Sequence, residues 1–321
     1  MDFLANYFSS LNPMSFLSAL PGNIAQGIIW GLMGLGVFLT FKLLNFADLS
    51  VDGSFATGGA VTAVMLINGC PVWTTIIVAI LAGLAAGLVT GLLHTLLGIP
   101  DILAGILTQI ALYSINLNIM GKSNLPISYR NYTLVVSARN INMAILVGLG
   151  ICAVVIAAMY WYFGTEQGST IRSTGSNPAM SKAQGININF TKVIALALSN
   201  GLVALSGSLF AQYQGFADIN MGRGAIVIGL AAVIIGEVLG EAIFRKHMNF
   251  IIRMLFVIVG GILYYIAMGI VLWLKMPTDD TKLFTAIIVA IFLAVPYLQK
   301  KRKTSFKKVA KMNAKNAQKE G

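Results

Sequence analysis

The sequence predicts an all-α polytopic membrane protein with about eight to ten transmembrane helices. Hydrophobic residues make up 57% of the 321-residue chain and charged residues 10%, against roughly 45–50% and 25% in soluble domains. The mean hydropathy is +0.81, and the apolar residues fall into runs long enough to cross a bilayer. These observations exclude a soluble globular enzyme, a disordered chain and a nucleic-acid-binding domain.

Nine apolar runs are candidate spans, and an amphipathic segment precedes them. Residues 3–20 place apolar side chains on one face and end at Pro21-Gly22, which predicts an interfacial helix within residues 1–22. The second and seventh runs are short for a bilayer, and short segments are tolerated where protein covers them or where they line a cavity. The candidate spans are residues 24–44, 54–67, 72–97, 101–120, 143–164, 191–213, 224–240, 250–274 and 283–299.

The distribution of basic residues predicts the orientation. Nine of the 22 Lys and Arg residues lie in the tail at 300–321, which indicates a cytoplasmic anchor on anionic lipid rather than a nucleic-acid site. Alternation of nine spans then puts the N-terminus outside and the C-terminus in the cytoplasm. The predicted units are an interfacial segment (1–22), a first transmembrane half (23–164), a cytoplasmic loop (165–190), a second half (191–299) and the tail (300–321).

A short repeat occurs once in each half. The first copy, residues 45–55, reads N-F-A-D-L-S-V-D-G-S-F, and the second copy, residues 215–225, reads G-F-A-D-I-N-M-G-R-G-A. Five spans lie within one offset, an odd number, so the copies should face opposite sides. This pattern predicts an inverted-topology repeat, with second helices that are short or broken beside the transport path.

The repeat supplies the candidate path residues. Acids at membrane depth are functional candidates by default, but the symmetry of the repeat favours Asp48 and Asp218 as caps of the helices that follow them, since a substrate is not symmetric. Arg223 is placed to meet a solute carboxylate, or alternatively to anchor on lipid headgroups. The candidates are Asn45, Asp48, Ser50, Asp52, Asp218, Asn220 and Arg223.

The loop at 172–187 specifies a short helix. Asn177 is a suitable N-cap, Pro178 suits the first helical position and Gly185 can take the left-handed closing conformation. The predicted helix, 178–184, exposes apolar side chains of Ala179, Met180 and Ala183. Two interpretations remain open from the residues alone: a docking surface for a partner, or an ordinary connection between helices.

Catalytic and metal-binding patterns are not found in the sequence. Cys70 and Cys152 lack metal-ligand spacing, and His94 and His247 have no acid or Cys at catalytic spacing. We therefore expect no metal site, no cofactor and no enzymatic activity in this chain.

Four stretches together resemble a known family. Thr174 to Ala179 with Gly185-Ile186 is similar to the cytoplasmic loop of ABC importer permeases of the branched-chain amino acid and ribose type. Asn45-Phe46-Ala47 with Gly53-Ser54, Ile99-Pro100, and Gly201 to Gly207 are similar to further motifs of these permeases, in the same order. The resemblance covers roughly residues 20–300.

The resemblance implies the permease subunit of a bacterial importer in the plasma (inner) membrane. Its implied partners are a dimer of cytoplasmic ABC ATPases, an extracytoplasmic substrate-binding protein and a second permease copy, with a homodimer expected, besides the lipid bilayer. The ATPase-coupling residues would be Gly175, Asn177, Pro178, Ala179, Met180, Ala183 and Gly185.

The solute is the least determined part of this prediction. The first copy is more acidic than the branched-chain pattern and resembles the subgroup that includes tryptophan and tyrosine importers. We therefore expect a small polar solute that is an amino acid, with an aromatic amino acid the first to test. Three alternatives stay open: an ABC permease for a sugar or nucleoside, a stand-alone proton-coupled secondary transporter, and a scaffold that transports nothing.

Overall fold

The computed structural model describes residues 13–128, 132–244, 248–274, 283–284, 286–292 and 294. Most of these residues are helical, as the composition predicts. The elements are α1 (Pro13–Val37), a π-helix (Phe38–Leu43), α2 (Val51–Ile67), α3 (Val72–Leu96), α4 (Asp101–Met120), β1 (Asn124–Pro126), α5 (Ile141–Gly164), α6 (Glu166–Ser176), α7 (Pro178–Ala183), α8 (Ile188–Gln214), β2 (Phe216–Asp218), α9 (Ala225–Phe244) and α10 (Phe250–Trp273).

The all-α membrane fold is confirmed. Within the described residues, seven helices are long and apolar enough to cross a bilayer, and α2, with 17 residues, is a shorter apolar helix. The prediction of a short helix holds for α2 but is wrong for α9, whose 20 residues continue past Gly240 to Phe244. Of the ninth predicted span, 283–299, residues 283–284, 286–292 and 294 are described and are helical.

The first span is longer than predicted. Helix α1 passes through Pro21 and Gly22 without a break, and the π-helix extends it to Leu43, so the predicted helix end at Pro21-Gly22 is wrong. Proline removes one backbone donor from a helix, yet the helix continues. Next to Pro21, α8 packs alongside α1, and Tyr213 Oη donates to the Gly22 carbonyl at 3.4 Å. Residues 1–12 of the predicted interfacial segment lie outside the described residues.

Helix α8 runs through the middle of the bundle, and its contacts give the relative directions of its neighbours. Ser199 Oγ donates to the Gly36 carbonyl and Ser206 Oγ to the Ile29 carbonyl, each at 2.7 Å, so α1 is antiparallel to α8. Ser54 of α2 contacts Asn200, and farther along Thr62 contacts Ser208, so α2 is parallel to α8.

Small residues allow these helices to approach closely. Gly83, Gly87 and Gly91 of α3 lie against the α8 backbone, where an added Cβ would overlap it or press on it. Their partners in α8 run in the opposite sense, from Asn200 down to Val193, so α3 is antiparallel to α8. Close backbone approach replaces the hydrophobic driving force that lipid does not provide between helices.

Two features of the fold were not predicted. Strands β1 and β2 pair antiparallel, with Asn124 opposite Asp218, and close the ends of α4 and α8. Helix α6 occupies 11 residues of the predicted cytoplasmic loop, where Thr165 Oγ1 caps it by accepting from the Gly168 N–H at 3.4 Å. Neither element is a long apolar run, which is the signal by which the longer helices are found: α6 is polar overall, and each strand has three residues.

Candidate functional site

The first copy of the repeat forms a turn just before α2. Asp48 Oδ1 accepts hydrogen bonds from the backbone N–H of Ser50 at 2.9 Å and from Ser50 Oγ at 2.5 Å. An Asp that binds the N–H two residues on is an Asx-turn. Asp48 therefore shapes the turn that leads into α2, rather than capping the first-turn amides of that helix.

A buried polar cluster ties this turn to α8. Asn200 Nδ2 donates to Asp48 Oδ2 at 2.7 Å, and Asn200 Oδ1 accepts from Ser54 Oγ at 2.6 Å. Asp48 is 2% exposed, and the side chains of Ser50, Ser54 and Asn200 are fully buried. A satisfied buried network of this kind favours one arrangement of the elements it joins.

Asp52 makes a further connection between the two halves. Its Oδ2 accepts from the Gly224 N–H and its Oδ1 from the Ile226 N–H, each at 2.9 Å. These donors belong to the start of α9, whose first-turn amides have no partner within the helix. Asp52 lies in the first turn of α2, so the N-terminal ends of α2 and α9 meet at this carboxylate, where an anion is favoured.

A cavity of about 290 Å³ opens beside Asp52. It lies between α2, α4 and the loop before α9, and close packing of Gly53 against Leu112 holds α2 and α4 together at its edge. The polar residues in its wall are Asp52, Gln109, Tyr113, Asn116, Asn220 and Arg223. Asp52, Asn220 and Arg223 are three of the seven predicted path residues.

The other four predicted path residues lie elsewhere. Asp48 and Ser50 belong to the buried cluster, and Asp218 is half-buried on β2, where its Oδ1 accepts from the Asn220 N–H at 2.7 Å. Asn45 is exposed and has a left-handed backbone with φ of 55°. Asparagine tolerates that conformation better than most residues, so its place in the motif is explained by the turn.

Helix α4 contributes residues that the sequence analysis missed. Gln109, Tyr113 and Asn116 are spaced i, i+4 and i+7 and so share one face of a largely apolar span. Asn116 is fully buried, and neither atom of its amide has a hydrogen-bond partner among the described residues. Polar residues at helical spacing within an apolar run are the signal that would have identified this face.

A second cavity, of about 150 Å³, borders the first copy of the repeat. Its wall includes Asp48 and Leu49 and, from α9, Ile226 and Leu230. Because the Ile226 N–H binds Asp52, the Asp52 side chain joins the wall of the polar cavity to the wall of this smaller one.

The predicted helix in the cytoplasmic loop is present. Asn177 Oδ1 accepts from the Met180 N–H at 3.0 Å, Pro178 begins α7, and Gly185 is left-handed with φ of 82°. These local predictions are confirmed, with the helix ending at Ala183 and Gln184 serving as the C-cap.

One face of α7 is buried against the rest of the protein, and the other, which we call the open face, is exposed. Ser181 is 1% exposed, whereas Met180 is 58% exposed, and Ala179 and Ala183 are exposed beside it. Gly175 precedes α7 and lies directly against the Leu43 backbone, where no side chain would fit. Gly175 therefore joins the loop to the end of the first span, and the exposed face belongs to α7.

The chain belongs to a family of transport permeases. Residues 22–296 match the family described as the branched-chain amino acid transport system permease component. The chain is thus a membrane permease component of the ABC transporter type, as the motifs indicate.

Two relatives and one solved structure are similar to the chain. It is 41% identical to the tyrosine transport system permease protein of Clostridioides difficile (strain R20291), over 93% of this chain and 99% of that protein. It is 31% identical to the uncharacterized protein RP368 of Rickettsia prowazekii (strain Madrid E), over 84% and 95% respectively. The solved structure of PsaBC from Streptococcus pneumoniae in complex with Fab matches the fold with a TM-score of 0.50 and 16% identity, covering 91% of this chain and 94% of that one.

Proposed function

We propose that this permease imports a zwitterionic amino acid, with an aromatic one the first candidate, and that the solute passes through the cavity beside Asp52. The tyrosine permease of Clostridioides difficile, at 41% identity, supports the choice of solute class. The cavity supplies the physical argument for the route.

The observation that carries the proposal is the pair of opposite charges in one cavity wall. Asp52 and Arg223 both line the cavity, and neither forms an ion pair with another residue of the described chain. A zwitterion presents an ammonium and a carboxylate, which these two side chains complement. A sugar or nucleoside presents no such pair of charges.

Binding at this site should be weak. Asp52 already accepts two backbone N–H groups, and Arg223 is exposed to water, which screens its charge, so each adds little to the affinity for the solute. A transport path must also release its cargo, and a tight site would hold it. Affinity is then better supplied by the proposed external binding protein.

The remaining parts of the proposal concern assembly and orientation. The open face of α7 would dock in a cleft of a cytoplasmic ABC ATPase, with two permease copies and two ATPases in the complex. The N-terminus would face outward, and the basic tail at 300–321, outside the described residues, would meet anionic lipid on the cytoplasmic side.

Inward release requires the two halves to move at Asp52. Its bonds to α9 join the polar cavity to the smaller cavity beyond it. We infer that ATP-driven motion of the halves separates α2 from α9 and opens the inner side of the path. An inverted relation between the two copies of the repeat would make this a rocking motion about their contact.

The test of the solute is uptake into vesicles that contain the permease with its ATPase and binding protein. Tyrosine, tryptophan, leucine, ribose and a nucleoside are compared. We expect uptake of the amino acids, and Arg223→Gln should raise the KM for them, whereas Lys122→Gln, another exposed cation, should not. Uptake of ribose or the nucleoside alone would contradict the proposal.

The test of coupling and orientation uses the loop and the opposite end of the bundle. Ala179→Asp puts a charge on the open face of α7, where a covered contact hydrates it poorly, so ATPase association and uptake should fall together. Cysteines at Ser123 and Ser176, both exposed, should react with an impermeant thiol reagent from outside and inside respectively. Labelling of Ser176→Cys from outside would reverse the orientation.

A further inference from the structure

We propose that Asn116 is a specificity-determining residue of the permease, and that its amide hydrogen-bonds a hydroxyl group on the side chain of the transported amino acid. The proposal rests on the function proposed above, because it needs an amino acid in the cavity. It adds to that function the side-chain group of the solute that the site recognises.

The first step is the state of the Asn116 side chain. It lines the cavity and is fully buried, and both its amide nitrogen and its amide oxygen lack partners among the described residues. Most buried side-chain polar atoms in proteins are paired, and an unpaired one costs free energy. Because Asn116 is part of the cavity wall, the proposal assigns a group of the bound solute as the partner of both atoms.

The second step is the kind of group that pairs with it. The two charges of an amino acid are complemented by Asp52 and Arg223, which lie on α2 and in the loop before α9. Asn116 lies on α4, in a different wall. Its amide is neutral and offers both a donor and an acceptor, so its best partner is a neutral group of the solute side chain that also does both.

The third step ranks the aromatic amino acids. A phenol hydroxyl donates and accepts and can satisfy both atoms of the amide. An indole N–H only donates, so it leaves the amide nitrogen unpaired, and a phenyl ring leaves both atoms unpaired. A site that is built to bind a hydroxyl rejects the analogue without one, because its own polar groups then stay buried and unpaired. We therefore expect kcat/KM to decrease in the order tyrosine, tryptophan, phenylalanine.

The test compares Asn116→Leu with Asn118→Leu in the vesicle assay, using the same ATPase and binding protein throughout. Asn118 is on the same helix but exposed, so its variant controls for loss of an asparagine from α4. The readout is the ratio of kcat/KM for tyrosine to that for phenylalanine. Because the binding protein is unchanged, a change in this ratio is due to the permease.

We expect Asn116→Leu to reduce the ratio by about tenfold, chiefly through tyrosine, and Asn118→Leu to leave it unchanged. Replacing an unpaired buried amide by a side chain of similar volume should also leave the Tm of the solute-free permease equal or higher. An unchanged ratio, or a lower Tm with equal losses for both solutes, would overturn the proposal. Failure of the wild-type protein to carry any amino acid would instead overturn the proposed function.

Discussion

The two copies of the repeat form the same turn in different surroundings. In the first copy Asp48 Oδ1 accepts from the Ser50 N–H at 2.9 Å, and in the second Asp218 Oδ1 accepts from the Asn220 N–H at 2.7 Å. Beyond the turn they differ, because Asp48 is buried against Asn200 whereas Asp218 is half-buried on β2 beside Asn124, at 3.5 Å. The local motif determines the turn, and the neighbouring elements determine what the acid does.

The copies meet at the fifth residue after Ala47 and Ala217. That residue is Asp52 in the first copy and Gly222 in the second, and Gly222 lies directly against the Asp52 carbonyl oxygen. One copy therefore supplies the carboxylate that binds α9, and the other supplies the space that lets it approach. Equivalent positions in the repeat have complementary roles, which is why their sequences differ there.

The largest expected effect is at Asp52. Asp52→Ala removes two charge-assisted hydrogen bonds to the start of α9 and the partner proposed for the solute ammonium, so uptake should fall about 100-fold. Asp52→Asn keeps one acceptor oxygen, so its uptake should fall less. Asp101→Ala serves as the control, since Asp101 is in the first turn of α4 and outside the cavity wall. Full uptake by Asp52→Ala would exclude this carboxylate from the path.

A smaller effect is expected at Gly222. In Gly222→Ala the added Cβ overlaps the Asp52 carbonyl oxygen, and overpacking of this kind costs about 1–3 kcal/mol. Thermal unfolding in detergent measures it. Gly150→Ala is the matched control, because a Cβ there meets nothing within 4 Å, and it should be neutral or slightly stabilising. Equal Tm values for the two variants would show that the copies do not press together.

The next effect in size is a difference in stability between substitutions of the two turn acids, Asp48 and Asp218. Asp48→Asn puts an amide nitrogen or a poorer acceptor against the donors of Ser50 and Asn200 in a buried site, at a cost of about 1–3 kcal/mol. Asp218→Asn keeps the acceptor for Asn220 in a half-buried turn and should change stability by less than about 0.5 kcal/mol. Equal losses of stability would mean that the turn, and not the burial, makes Asp48 important.

The smallest effect is expected at Asn124. Asn124→Ala removes only the 3.5 Å contact with Asp218, a weak geometry on the exposed strand pair, so stability should change by less than about 0.5 kcal/mol and uptake should not change. The β1–β2 backbone bonds stay in place. A loss of uptake would instead show that this strand pair belongs to the path.

Much of the fold was predictable because each helix carries its own signal. The bounds of α3, α4 and α5 follow from apolar runs, and α7 follows from Asn177, Pro178 and Gly185, since capping needs only neighbours in the chain. Less of the site was predictable. Asp52 was identified as a candidate for the path, but its bond to α9 joins residues more than 170 positions apart.

The sequence by itself determined the all-α membrane class, most of the helix bounds and the capped α7, because composition, apolar runs and capping act over short stretches of chain. Only the tertiary structure decided which candidates share a cavity. Asn116 comes from α4, Asp52 from α2 and Arg223 from the loop before α9, and no local pattern relates them. Their meeting depends on how glycines let helices approach, which is a property of pairs of helices and not of any one segment.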